Sequence, residues 1–76
     1  MQIFVKTLIG RTITLEVESA TYVETIKEMI FDKGEASVCD QRLIHEMKEL
    51  ENERQLADYG IKKEDTIQLI TRLKGG

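Results

Sequence analysis

The 76-residue chain carries one cysteine, Cys39, and one histidine, His45, the first candidates for nucleophilic chemistry. A thiolate nucleophile needs an imidazole in hydrogen-bond contact and a third group to orient that base. A separation of six positions across a loop from Cys39 to His45 gives no reason for such contact, so the spacing favours an exposed loop thiol and a strand histidine. One His and one Cys also fall short of a structural zinc site. Glu49, Glu51 and Glu53 alternate along a polar stretch and read as solvated charge rather than a metal cage. Gly75-Gly76 has no helix after it and is no phosphate-binding loop. The sequence therefore predicts neither catalytic residue nor metal nor cofactor.

Two other features carry chemistry of a different kind. Ile67 and Leu69 take the inward face of a final strand, so Ile70 faces outward, as does Ile44 beside an inward Leu43. With Leu8 in a hairpin loop, strand pairing would gather these residues into one apolar patch rimmed by Arg42, Gln68, Lys48 and Arg72. Such a patch is the substance of a protein-binding hot spot, although single exposed apolar residues are ordinary. The stretch Leu73-Lys74-Gly75-Gly76 has neither period nor bulk. Without a Cβ, a diglycine lets an enzyme's walls close on the backbone from both sides.

The elements that would position these residues follow from hydrophobic period. Met1, Ile3 and Val5 alternate with Gln2, Phe4 and Lys6, and Ile13, Leu15 and Val17 alternate with Thr12, Thr14, Glu16 and Glu18. Period two with β-branched enrichment predicts two strands, closed into a hairpin through Thr7-Leu8-Ile9-Gly10 with the glycine at positive φ. Val23, Ile26 and Ile30 then recur at helical spacing, with Lys27 among them and Met29 and Phe31 flanking the stripe. Thr21 and Glu24 have capping-box spacing, and Gly34 after Lys33 is a stop signal, so the helix should run from near Tyr22 to near Lys33. Beyond a polar connection over 35–40, Gln41 to His45 is a short strand. A turn at Glu46-Met47 leads to a second short strand near Lys48, with Leu50 inward. Leu56, Tyr59 and Ile61 anchor an irregular segment, and Thr66 to Arg72 forms the last strand. The order β-β-α-β-β-β makes an α+β sheet packed on one helix.

Composition bounds the function. At 41% hydrophobic, 33% charged and net charge −3, the chain is a single small domain with much surface. No basic run marks a nucleic-acid groove, no stretch suits a membrane span, and the opening residues lack the profile of a signal peptide. A lone Cys39 makes no internal disulfide and leaves the chain monomeric unless it oxidises. Proline is absent altogether.

Met1-Gln2-Ile3-Phe4-Val5-Lys6-Thr7-Leu8, Gly10 and Thr12-Ile13-Thr14-Leu15-Glu16-Val17-Glu18 closely resemble the opening of the ubiquitin family pattern. So do Gln41-Arg42-Leu43-Ile44, Asp58-Tyr59, Lys63-Glu64 and Arg72-Leu73-x-Gly75-Gly76, and the likeness runs through the chain without a gap. The resemblance implies a β-grasp fold over 1–72 with a flexible diglycine tail over 73–76. It further implies a cytoplasmic and nuclear protein modifier, attached through Gly76 to substrate lysines by isopeptide bonds, for instance as a degradation signal. Its implied partners are ubiquitin-activating and conjugating enzymes, ligases, deubiquitinating proteases and ubiquitin-binding domains, with no nucleic acid or membrane. Carried over by position, Gly75 and Gly76 serve conjugation, and Arg42, Arg72 and Leu73 serve activation and tail contacts. Leu8, Ile44, Met47, Gln68 and Ile70 form the binding patch, and Lys6, Lys27, Lys33, Lys48 and Lys63 are acceptors for chain building. The alternative is a binding module that occupies the same receptors without being conjugated.

Departures from the pattern carry information of their own. Two family lysines are replaced by Arg11 and Met29, and a guanidinium stays protonated and cannot act as the nucleophile. Lys62 and Lys74 are extra amines. The family places an acid near position 52 against Lys27; the neutral Asn52 here would leave a buried ammonium without a charged partner, which is costly. Glu46 and Met47 replace small residues in a tight turn, so Glu46 is expected at positive φ and receptor choice at this corner is expected to change. Asp65 stands in place of a serine. Ala36 and Thr71 are less apolar than the family's residues, which predicts a weaker second patch near the tail. Ser19, Ser37 and Val38 occupy the family's proline positions, and each loss frees the unfolded chain.

Overall fold

The computed structural model describes residues 1–71, so the last strand is seen as far as Thr71; the expected tail, with Arg72, Leu73, Gly75 and Gly76, lies outside the described residues. Strands β1 (Gln2–Lys6) and β2 (Thr12–Glu16) pair antiparallel, with Ile3 opposite Leu15 and Val5 opposite Ile13. These alternating side chains are buried and build one wall of the core. The turn between them closes through Gly10, at φ +87°, whose N–H donates to the Thr7 carbonyl at 3.0 Å. The alternation continues past β2 as far as the buried Val17, whose N–H donates to the Met1 carbonyl.

Helix α1 (Val23–Asp32) lays Val23, Ile26 and Ile30 against that wall. Met29 is partly buried against the core, while Phe31 stays exposed. Gly34, at φ +95°, closes the end with its N–H on the Phe31 carbonyl, as the stop signal predicted.

The start of the helix departs from the expected capping box. Tyr22 is the N-cap, with no side-chain cap bond, and the Thr21 hydroxyl instead accepts from the Glu18 N–H at 3.0 Å. The first helical N–H groups are taken by a distant loop: Val23 donates to the Arg54 carbonyl at 2.9 Å and Glu24 to the Asn52 carbonyl at 3.3 Å. Tertiary carbonyls thus take over two of the helix's free N-terminal donors in place of a side-chain cap.

The connection after the helix contains a 3₁₀ turn over Val38–Asp40, then β3 (Gln41–His45), β4 (Lys48–Glu49), a second 3₁₀ turn over Leu56–Tyr59 and β5 (Thr66–Thr71). The sheet order is β2-β1-β5-β3-β4, with β1 and β5 parallel and every other neighbouring pair antiparallel. Leu43 and Leu69 face each other on the inner side, and Leu50, Leu56, Ile61 and Ile67 complete the core. A mixed five-stranded sheet gripping one helix is the β-grasp arrangement expected from the sequence.

Candidate functional site

The outer face of the sheet is set by the parity of its strands. Because Leu43 and Leu69 point inward, their neighbours Arg42, Ile44, Gln68 and Ile70 point outward. The β3–β5 register places Arg42 opposite Ile70 and Ile44 opposite Gln68. Glu49 lies beside Ile44 across the β3–β4 pair, and Lys6 beside Gln68 across the β1–β5 pair. A row Glu49–Ile44–Gln68–Lys6 thus crosses four strands, with Ile44 and Ile70 half-buried among charged and amide groups. The Gln68 amide donates to the Lys6 carbonyl at 3.0 Å, which fixes its head group between the strands.

Leu8 follows Lys6 by two residues, as Ile70 follows Gln68, so the parallel β1–β5 pair carries the hairpin loop toward the Ile70 end. Leu8 is 67% exposed and its neighbour Ile9 88% exposed. At the opposite corner Met47 is 97% exposed. Glu46 and Met47 both take positive φ, +51° and +72°, in the two-residue turn between His45 and Lys48. Such a turn demands left-handed backbone at both central positions, normally met by Asn-Gly.

One feature of this face had no clear signal in the sequence. Glu49 reaches Arg42, with its Oε2 at 3.7 Å from Nε, and this partner depends on the hairpin register. Phe4, placed on the outer face by the alternation of β1, lies opposite Thr14 on one side and Thr66 on the other and is half-buried like Ile44 and Ile70. Thr71 lines a groove of about 190 Å³ together with Thr7, Leu8, Ile9, Glu35 and Leu69. The Arg11 guanidinium closes over its edge, bonding Glu35 at 2.7 Å and the Lys33 carbonyl at 3.3 Å.

The candidate lysines divide by exposure. Lys6, Lys33, Lys48 and Lys63 are exposed. Lys27 is only 7% exposed, and among the described residues no carboxylate lies within ion-pair distance of it. Burial lowers its pKa below the ordinary 10.5, opposed in part by the charges of Glu49, Glu24 and Glu53.

Cys39 and His45 are not brought together. Cys39 is exposed in the 3₁₀ turn before β3, and His45 ends that strand, about 13 Å further on at the rise of an extended chain. The buried His45 instead places Nε2 3.5 Å from the Asp65 carboxylate, which also accepts from the Lys62 N–H. Among the described residues no group of three metal-ligating side chains occurs, and no helix is long and apolar enough to cross a membrane.

Comparison with known proteins agrees with this architecture. The ubiquitin family model matches residues 3–74. Ubiquitin-like protein 4A of Rattus norvegicus is 36% identical over 72 residues, covering 95% of this chain and 46% of that protein. NEDD8-like protein RUB3 of Arabidopsis thaliana is 32% identical over 76 residues, covering 100% of this chain and 97% of that protein. The chain spans about half the length of the first of these relatives and nearly all of the second. These likenesses are to ubiquitin-like proteins in general rather than to ubiquitin in particular. By its family match over residues 3–74, with which the sheet topology agrees, the chain belongs to the ubiquitin family.

Proposed function

We propose that the chain is a ubiquitin-type protein modifier, joined through the Gly76 carboxylate to substrate lysines and read by binding domains on the outer sheet face. The observation that carries this reading is the Ile44–Ile70 surface, apolar at its centre and flanked by Lys6, Arg42 and Gln68. A half-buried aliphatic pair ringed by polar groups suits a small helical or strand-like receptor, because its burial excludes water while the rim sets orientation. Arg72, Leu73, Gly75 and Gly76 supply the motif that an activating enzyme would adenylate with ATP and hold as a thioester, if Gly76 is terminal as such or after processing. Conjugating enzymes and ligases would pass it on, and deubiquitinating proteases would remove it. Of its own amines, Lys6, Lys33, Lys48 and Lys63 are open to attack on a thioester, whereas Lys27 requires local opening. A modifier of this kind acts in the cytoplasm and nucleus as a monomer.

The second reading is a binding module that is not conjugated. Its support is the match to less than half of ubiquitin-like protein 4A, in which the similar segment is one part of a longer protein. Incubation with a ubiquitin-activating enzyme and ATP separates the two, since only the modifier forms a thiol-reducible adduct.

A further inference from the structure

Between the start of α1 and the segment after β4 lies an open cavity of about 510 Å³, lined by Lys27, Glu49, Leu50, Glu51, Asn52 and Glu53. Its walls are held in place: Leu50 is rooted in the core, and the Asn52 and Arg54 carbonyls are tied to the helix N-terminus. Two polar groups in the cavity are incomplete. Lys27 is 7% exposed, and although its carbonyl accepts from the Gln41 side-chain amide, its ammonium makes no hydrogen bond or ion pair among the described residues. The Asn52 Oδ1 is buried and accepts from no donor. The volume far exceeds the roughly 30 Å³ share of one water molecule.

The chemistry of these groups narrows the occupant. A simple anion would serve Lys27 but leave Asn52 without a donor and meet three carboxylates. A simple cation would suit the carboxylates and Asn52 but repel the buried ammonium. A peptide group presents an acceptor and a donor side by side and serves both. We propose that this cavity docks a basic peptide segment of a partner protein. One backbone carbonyl accepts from the Lys27 ammonium, and a neighbouring N–H donates to Asn52 Oδ1. Lysine or arginine side chains of the same segment pair with Glu51 and Glu53 at the mouth. Glu49, already near Arg42, adds to the field without being the principal contact. This docking does not depend on conjugation through Gly76.

The test is a titration of the full chain with a blocked Gly-Arg-Gly-Arg-Gly peptide, followed by backbone amide NMR shifts, with spermine as a cation that has no peptide group. The peptide should shift residues 49–53 and the Lys27 amide saturably. Glu51→Gln with Glu53→Gln should weaken it about tenfold, as loss of paired charges does. Asn52→Asp discriminates further: it gives Lys27 a carboxylate of its own and fills the seat of the peptide carbonyl, yet adds negative charge. Weaker peptide binding by Asn52→Asp, with spermine binding unchanged or tighter, supports the proposal. Peptide binding by Asn52→Asp as tight as wild type or tighter, or no saturable shift at residues 49–53, overturns it.

Discussion

Ile44 and Gln68 stand directly opposite one another across the antiparallel β3–β5 pair, with Glu49 on the far side of Ile44 and Lys6 on the far side of Gln68. An apolar side chain thereby sits inside a row of charged and amide groups on the face turned away from the helix. Such a position contributes little to the core, which is built from the alternate residues Leu43 and Leu69.

Ile44→Ala should therefore separate binding from folding. Affinity for a ubiquitin-binding domain is expected to fall at least about tenfold, equivalent to about 1.4 kcal/mol, with a much smaller change in the urea midpoint. Isothermal titration and urea unfolding of the same samples measure both. Unchanged affinity would remove this face from recognition.

The turn after β3 holds Met47 at φ +72°, a conformation that costs a residue with a side chain about 1 kcal/mol or more. Met47→Gly should raise stability by about 1 kcal/mol, read as a higher urea midpoint at constant slope. It should also weaken any receptor that packs on the Met47 side chain. A lower midpoint would show that the methionine stabilises the folded chain in spite of its backbone.

The 3₁₀ turn after α1 begins at Ser37, whose φ of −57° and ψ of 152° already suit proline. Ser37→Pro should stabilise the fold by about 0.4–1 kcal/mol, mainly by restricting the unfolded chain. The effect should appear in the urea midpoint, and destabilisation would indicate a clash with the preceding residue.

Lys27 makes stability depend on pH in a defined direction. Its pKa is lowered in the folded state, so the unfolded chain holds the proton more tightly. Stability is therefore diminished while both states are protonated and rises as pH climbs through the folded value toward 10.5. Measured against Lys27→Met by urea unfolding, the wild type should gain stability over that alkaline range. Asn52→Asp, by supplying a counter-charge, should flatten the rise; an equal rise in that variant would mean that Lys27 is not its source.

Much of the framework was legible because burial follows period. Ile3 and Val5, Ile13 and Leu15, and Ile67 and Leu69 alternate as strands with one buried face must, and Val23, Ile26 and Ile30 recur as a helix stripe must. The same parity exposed the outward Ile44 and Ile70. The helix start departs from the local motif at Thr21 because the Val23 and Glu24 donors are satisfied by carbonyls some thirty residues away in sequence. The turns over Val38–Asp40 and Leu56–Tyr59 are too short to display a period. The Glu49–Arg42 contact and the cavity beneath Lys27 depend on strand register and on how the segment after β4 meets the helix. The lost charge partner of Lys27 was readable at Asn52; the open space beside it was not.

The modifier reading rests finally on Gly76. The full chain, incubated with a ubiquitin-activating enzyme, ATP and magnesium, should form an adduct that thiol reductants release. Arg72→Ala should slow its formation, and removal of Gly76 should abolish it. Absence of any thiol-reducible adduct across activating enzymes of this family, while binding through Ile44 persists, would contradict conjugation and leave a binding module.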